Sequence, residues 1–178
     1  SPNPVSVGTF LVASPELADP NFSRTVVLIC AHGTEGSLGV IVNRRTRLLL
    51  SEVLPEMSAL QGTSYHLFSG GPVERHGILM LYRIEQQPAT TLEVLDGVYF
   101  GANMEALEEI VTDPHPTDTF RAYAGHAGWA PGQLDLEIAG GFWTVLPAAS
   151  TAIFDHDPAE LWSDMLEGLR RPLTIRYE

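Results

Sequence analysis

Residues 25–43, TVVLICAHGTEGSLGVIVN, hold two apolar runs joined by a short segment containing Gly33 and Gly36. VVLIC and GVIVN are rich in β-branched side chains, which favour the pleated backbone, and HGTEGS between them suits a hairpin turn. Neither run alternates polar with apolar residues. The expected strands therefore lie centrally in a sheet, covered on both faces. The 178 residues, 44% of them hydrophobic, supply enough apolar side chain for such a core within one domain.

Other short runs extend the strand reading: VGTFLVAS, HLFSGG, GILMLYRI, FRAYAGHAGW and GFWTVLP, together with TTLEVL and GVYFG on either side of a hairpin signal at Asp96-Gly97. Helical spacing appears in three places. LLLSEVLPEM gives a short helix halted near Pro55. Met104, Leu107 and Val111 follow the N-cap residue Asn103 and end at Asp113-Pro114. Asp157-Pro158-Ala159-Glu160 places a cap, a proline at the first helical position and a glutamate at the third, ahead of Leu161, Trp162, Met165, Leu166 and Leu169. Strands and helices do not alternate regularly, which predicts an α+β domain.

All ten basic residues are arginines, set against 22 acidic ones for a formal charge of −12. Without lysine there is no Schiff base, Walker-type phosphate clamp or serine-lysine dyad. The negative field disfavours direct nucleic-acid binding and anionic membrane surfaces. Cys30 is the only cysteine, which forbids an internal disulfide, and no run is long and apolar enough to span a bilayer. These features predict a cytoplasmic protein. A start at SPNP without methionine is compatible with a trimmed leader.

GHAGWAPGQLDLE, residues 125–137, is the densest motif. A helix starting at Pro131 would take Ala130 as N-cap, place Gln133 to reach back to the cap amide, and set Trp129 against Leu134 as a hydrophobic staple. Gly125, Gly128 and Gly132 also allow close backbone approach, and free helix amides attract a small anion.

Catalytic signals are sparse. Ser69 has His66 and His76 nearby, but G-x-S-x-G is absent. No metal motif appears, Asp155-His156-Asp157 reads as the approach to the last helix, and Cys30 reads as a packing residue. The glycines at 33, 36 and 39 match no dinucleotide or phosphate loop. No catalytic set, metal site or cofactor is expected. Arg44, Arg45 and Arg47 form the densest basic cluster and could meet an anionic ligand or acidic partner.

Four blocks in order, TFLVASPELADPNFSRTVVLICAHGTEGSLGVIVNR, FSGGPV, GHAGWAPGQLDLEI and IFDHDPAELW, resemble the signature blocks of the AlgH/YqgE family of bacterial proteins, from about Gly8 to about Leu169. The resemblance implies an α+β domain with a mixed, branched, barrel-like β-sheet flanked by helices, in the bacterial cytoplasm. It brings no established activity, only the label of transcriptional regulator. The matching positions are Asn43 and Arg44; Gly70, Gly71, Pro72 and Val73; and Gly128, Trp129, Pro131, Gly132 and Gln133. Arg45 stands where the family tends to have proline, His126 where it has an aromatic residue, and Ala130 where it has glycine.

The reading is a non-catalytic binding or regulatory domain, with those eleven residues as a shared surface for an unknown protein or a small anionic ligand, acting as a monomer or homodimer. The alternative is a small-molecule hydrolase or other enzyme using Ser69 with a nearby histidine or a carboxylate such as Glu137.

Overall fold

In the computed structural model, which describes residues 4–170, the first apolar runs become β1 (Thr9–Ala13), β2 (Val26–Gly33) and β3 (Gly36–Ile41). β2 and β3 form the expected hairpin with Gly33 opposite Gly36, and β1 lies antiparallel on the other side of β2. Both faces are buried, by different parts of the molecule. Val26, Leu28 and Cys30 join Val40 and Val42 in one apolar cluster, whereas Val27 and Ile29 join Ile41 in another. Strand alternation sends neighbouring side chains to opposite faces, which is why neither run tolerates polar positions.

The chain continues through β4 (Arg45–Leu49), β5 (His66–Ser69), β6 (Val73–Arg83), β7 (Leu92–Leu95), β8 (Val98–Gly101), β9 (Thr119–Trp129) and β10 (Trp143–Pro147). The main path runs β10-β1-β2-β3-β9-β6-β8-β7, with β4 and β5 branching from it. β9 is the branch point. Its residues Ala127–Trp129 pair with β3, Ala122–Ala124 pair in parallel with β5, and β6 runs antiparallel to it.

The expected barrel-like closure is not formed. Among the described residues β10 pairs only with β1 and β7 only with β8, so the sheet is mixed and branched but open. Closure needs one consistent stagger around the sheet, and β9, by giving part of its length to β3 and part to β5, forks it instead.

Helices α1 (Leu50–Val53), α2 (Met104–Thr112), α3 (Gln133–Ala139), α4 (Ser150–Phe154) and α5 (Pro158–Arg170) flank the sheet. Asn103 caps α2 as expected, its Oδ1 accepting the Ala106 N–H at 3.0 Å. Asp157 does the same for α5 at Ala159, also 3.0 Å. α2 lays Ala106, Leu107 and Ile110 over a cluster with Met80, Tyr82 and Phe120. Ile153 and Phe154 of α4 and Leu161 of α5 cover the cluster that contains Cys30, and the Trp162 indole donates to Ala13 O at 2.8 Å.

The joint between α4 and α5 is tied to β6. Arg83 grips Asp155 with two hydrogen bonds, 2.7 and 3.0 Å, while its guanidinium lies 4.9 Å from the centre of the Phe154 ring. The bond from Arg83 holds the Asp155 carboxyl below the usual carboxylate range. A depressed folded-state pKa contributes stability above the unfolded value of about 3.9, lost as pH falls through the folded value. Asp155→Asn should therefore flatten the acid limb of the stability curve below about pH 4, measured by denaturant titration. Both side chains are partly exposed, Arg83 by 29% and Asp155 by 50%, so the effect at neutral pH should stay below about 1 kcal/mol.

Candidate functional site

The Asn43-Arg44 pair follows β3 and ties two loops to the sheet. Asn43 Oδ1 accepts the Val26 N–H at 2.9 Å and its Nδ2 donates to Arg24 O at 3.0 Å, so the side chain imitates one more ladder residue. Arg44 donates to the carbonyls of Asn21 (2.7 Å), Pro20 (3.1 Å) and Ser23 (3.0 Å). Partial burial lowers its pKa somewhat, opposed by Asp19, and a guanidinium so placed remains charged. That positive charge is held by neutral carbonyls, and among the described residues no carboxylate is bonded to it.

The Gly70 to Val73 turn adjoins this pair. Ser69 N–H donates to Arg44 O at 2.9 Å, Ile41 N–H to Gly70 O at 2.9 Å, and Gly70 N–H to Ala124 O at 2.8 Å. Here two backbones cross almost in contact. A Cβ on Gly70 would fall 2.3 Å from the Gly125 carbonyl oxygen, one on Gly71 2.2 Å from that of His126, and one on Gly125 2.3 Å from that of Gly71. Pro72 then leads out to Val73, which is 40% exposed at the start of β6.

The third segment has a different character. Pro131 and Gly132 are the middle of a tight turn closed by Gln133 N–H to Ala130 O at 3.0 Å, with Gly132 at φ 78°, ψ −13°. This is the geometry of a type II turn, for which Pro-Gly is well suited, and it delays the helix to Gln133 rather than Pro131. The reach-back of Gln133 is present: its Oε1 accepts the Ala130 N–H at 3.0 Å. Trp129 and Leu134 are both buried in one cluster, but with Gly132 as the N-cap they are not the N′ and N4 pair of the expected staple.

Glu137 completes the knot. Its Oε1 accepts the indole N–H of Trp129 at 3.0 Å and of Trp143 at 2.9 Å, and its Oε2 accepts from Gln133 Nε2 at 2.9 Å. Phe22 packs on both indoles, with ring centroids 6.1 and 5.7 Å away. Glu137, considered above only as a partner for Ser69, thus binds the two tryptophans.

A cleft of about 490 Å³ lies between the 43–46 turn and the start of α5, lined by Asn43, Arg44, Arg45, Thr46, Ser69, Asp157, Pro158 and Ala159. Trp129 to Gln133 do not line it, and of the glycine turn only its neighbour Ser69 does. Sequence reasoning reached Asn43 and Arg44 but missed Asp157–Ala159, which only the tertiary fold brings to them.

Several of the other candidate polar groups have partners of their own. Among the described residues Ser69 Oγ makes no hydrogen bond to a histidine or carboxylate, and His66 Nδ1 meets Thr46 O at 3.0 Å. His156 pairs with Asp164 at 2.8 Å while Asp155 and Asp157 serve Arg83 and the α5 cap. No group of three or more metal-ligating side chains occurs among the described residues. Burial pushes the Cys30 thiol far up its scale, consistent with a packing role.

A family model described as AlgH-like matches residues 10–174. The chain belongs to the AlgH-like family. It is 37% identical over 163 residues to a UPF0301 protein of Myxococcus xanthus, covering 89% of this chain and 88% of that one. A UPF0301 protein of Nocardia farcinica is 37% identical over 179 residues, covering 96% and 80%. The solution structure of the AlgH protein from Pseudomonas aeruginosa superposes with a TM-score of 0.78 at 29% identity, covering 97% of this chain and 93% of that one. AlgH-like membership accounts for the four blocks in order, and the backbone crossing and indole-carboxylate knot give two of those blocks a physical purpose. No helix among the described residues of this AlgH-like chain is long and apolar enough to cross a membrane.

Proposed function

We propose that this AlgH-like chain is a non-catalytic binding or regulatory domain whose recognition surface is the cleft between residues 43–46, Ser69 and the start of α5. Its ligand chemistry is an anion, either a small carboxylate or phosphate or an acidic group on a partner. One observation carries this reading: on a chain of formal charge −12, Arg44 and Arg45 share a cleft and neither forms an ion pair among the described residues. A guanidinium recognises oxyanions through directed N–H groups, so even one free face is selective.

In this reading Asn43, with Gly70, Gly71, Pro72 and Val73, sets the position of the arginines through the backbone. Gly128, Trp129, Pro131, Gly132 and Gln133 act at one remove, since Phe22 sits in the loop whose carbonyls Arg44 holds and packs on Trp129. Regulation of transcription would follow indirectly, through a bound effector, because the charge opposes a phosphate backbone.

The test is thermal unfolding with inorganic phosphate, succinate and nucleotides. An anion bound at 100 times its Kd should add about 2.7 kcal/mol of stability, and Arg45→Ala should remove most of that gain. Stabilisation that persists unchanged in Arg45→Ala would place the anion elsewhere. No stabilisation by any anion would remove the reading.

A further inference from the structure

β4 stands at the end of the side branch of the sheet. Among the described residues it pairs with β5 and with no other strand. Ser69 N–H donates to Arg44 O at 2.9 Å and His66 Nδ1 meets Thr46 O at 3.0 Å, so the carbonyls of residues 44 and 46 face β5. Although the pairing register shifts between Arg45 and Leu49, alternation from residues 44 and 46 turns the backbone N–H and C=O groups of Arg45 and Arg47 toward the open edge, which ends at the Leu49 N–H, bonded to Glu52 Oε2 at 3.0 Å.

Thr46 Oγ1 donates to Leu67 O and accepts the Leu48 N–H, but the two arginines beside it are not paired among the described residues. Arg45 and Arg47 are exposed, neither forms an ion pair among the described residues, and Leu48 beside them is 50% exposed. An exposed edge is a template for pairing unless something blocks it. Here the block is selective. A second copy approaching antiparallel through the same edge would set arginines against arginines, which is repulsive, whereas an acidic strand would set carboxylates against them.

We propose that β4 receives an extended acidic segment of a partner protein as an added strand. Its carboxylates would face Arg45 and Arg47 on one side, and an apolar residue on the other would cover Leu48. Main-chain bonds supply affinity in such strand addition and side chains supply selection. The proposal rests on the anion reading of the cleft, because Arg45 belongs to both surfaces.

The test uses the full chain and a fluorescein-labelled ten-residue peptide alternating glutamate with valine, read by anisotropy. The peptide should bind and should weaken about tenfold or more with Arg45→Ala/Arg47→Ala, with alternate N-methylated peptide amides, and with lysine in place of glutamate. Both substituted positions are exposed, so the variant's melting temperature serves as the control for folding. Amide hydrogen exchange should slow at Arg45 and Arg47 in the complex, the Leu48 and Leu49 N–H groups being already bonded to Thr46 Oγ1 and Glu52 Oε2.

Equal binding of the N-methylated peptide would overturn strand addition. Thermal stabilisation by phosphate without peptide binding would overturn this inference and leave the cleft reading standing; failure of both probes would remove both. Self-association that Arg45→Ala/Arg47→Ala strengthens, blocking the peptide, would assign the edge to a second copy and overturn the acidic partner.

Discussion

Gly125→Ala is expected to lower the melting temperature by roughly 6–12 °C, on the basis of about 3 kcal/mol lost and about 2–4 °C per kcal/mol for a domain of this size. Two effects combine. Gly125 has φ +76°, a left-handed conformation that costs an L-residue about 1–2 kcal/mol. Its Cβ would also lie 2.3 Å from Gly71 O and 3.1 Å from Val73 O, both backbone atoms that cannot rotate away. The strands would have to separate where the sheet forks, a displacement of the overpacking kind that typically costs about 1–3 kcal/mol more.

Gly128→Ala is the control. It lies in the same motif and the same strand, yet nothing lies within 4 Å of the added Cβ and its φ is not in the left-handed region. Its effect should stay within about 0.5 kcal/mol, as for other unstrained surface changes. Equal losses from the two substitutions, measured by differential scanning calorimetry, would refute the account of the crossing.

Much of this fold was legible in the sequence because the relevant signals are local. VVLIC and GVIVN declared a sheet interior, Asp96-Gly97 declared a hairpin with Gly97 at φ +74°, and the caps at Asn103 and Asp157 declared two helix starts. β4 was not legible. RTRLL has few apolar residues, and its pairing with β5 is interrupted between Arg45 and Leu49, so it has no clean period. α4 is five residues long without a side-chain cap, which leaves no start signal. Sheet closure is a property of how neighbours share β9, and no segment of sequence carries that information alone.

The site divides along the same line. Arg44 and Arg45 stood out because positive charge is rare in this chain, but the opposite wall of the cleft comes from residues 157–159, more than a hundred positions away. The dense 125–137 motif invited a ligand because its glycines and free amides are recognition groups. Its indoles and glutamate could not be paired on paper, since Trp143 contributes from outside the motif.

That pairing makes the second large prediction. Glu137→Ala should lower stability by about 3 kcal/mol, because it strands two buried indole N–H groups, and an unpaired buried donor costs about 1–3 kcal/mol. Trp129 and Trp143 are only 5% and 3% exposed, so water does not readily replace the lost oxygen. Gln133 also loses its contact, loosening the first turn of α3 beside the Pro131-Gly132 turn. Glu137→Gln should lose less, about 1–2 kcal/mol, since its carbonyl oxygen still accepts from the indoles while charge assistance and the bond from Gln133 Nε2 are gone.

Tryptophan fluorescence separates this mechanism from general destabilisation. Under native conditions Glu137→Ala should shift emission, since both indoles that touch Glu137 change their hydrogen bonding, whereas Gly125→Ala, at equal or greater loss of stability, should leave the native spectrum nearly unchanged. Asp135→Ala, on the exposed face of the same helix, should change neither stability nor spectrum measurably. If Glu137→Ala behaves like Asp135→Ala, the carboxylate does not hold α3 to the sheet, and the glutamate of this motif becomes free for a role in binding.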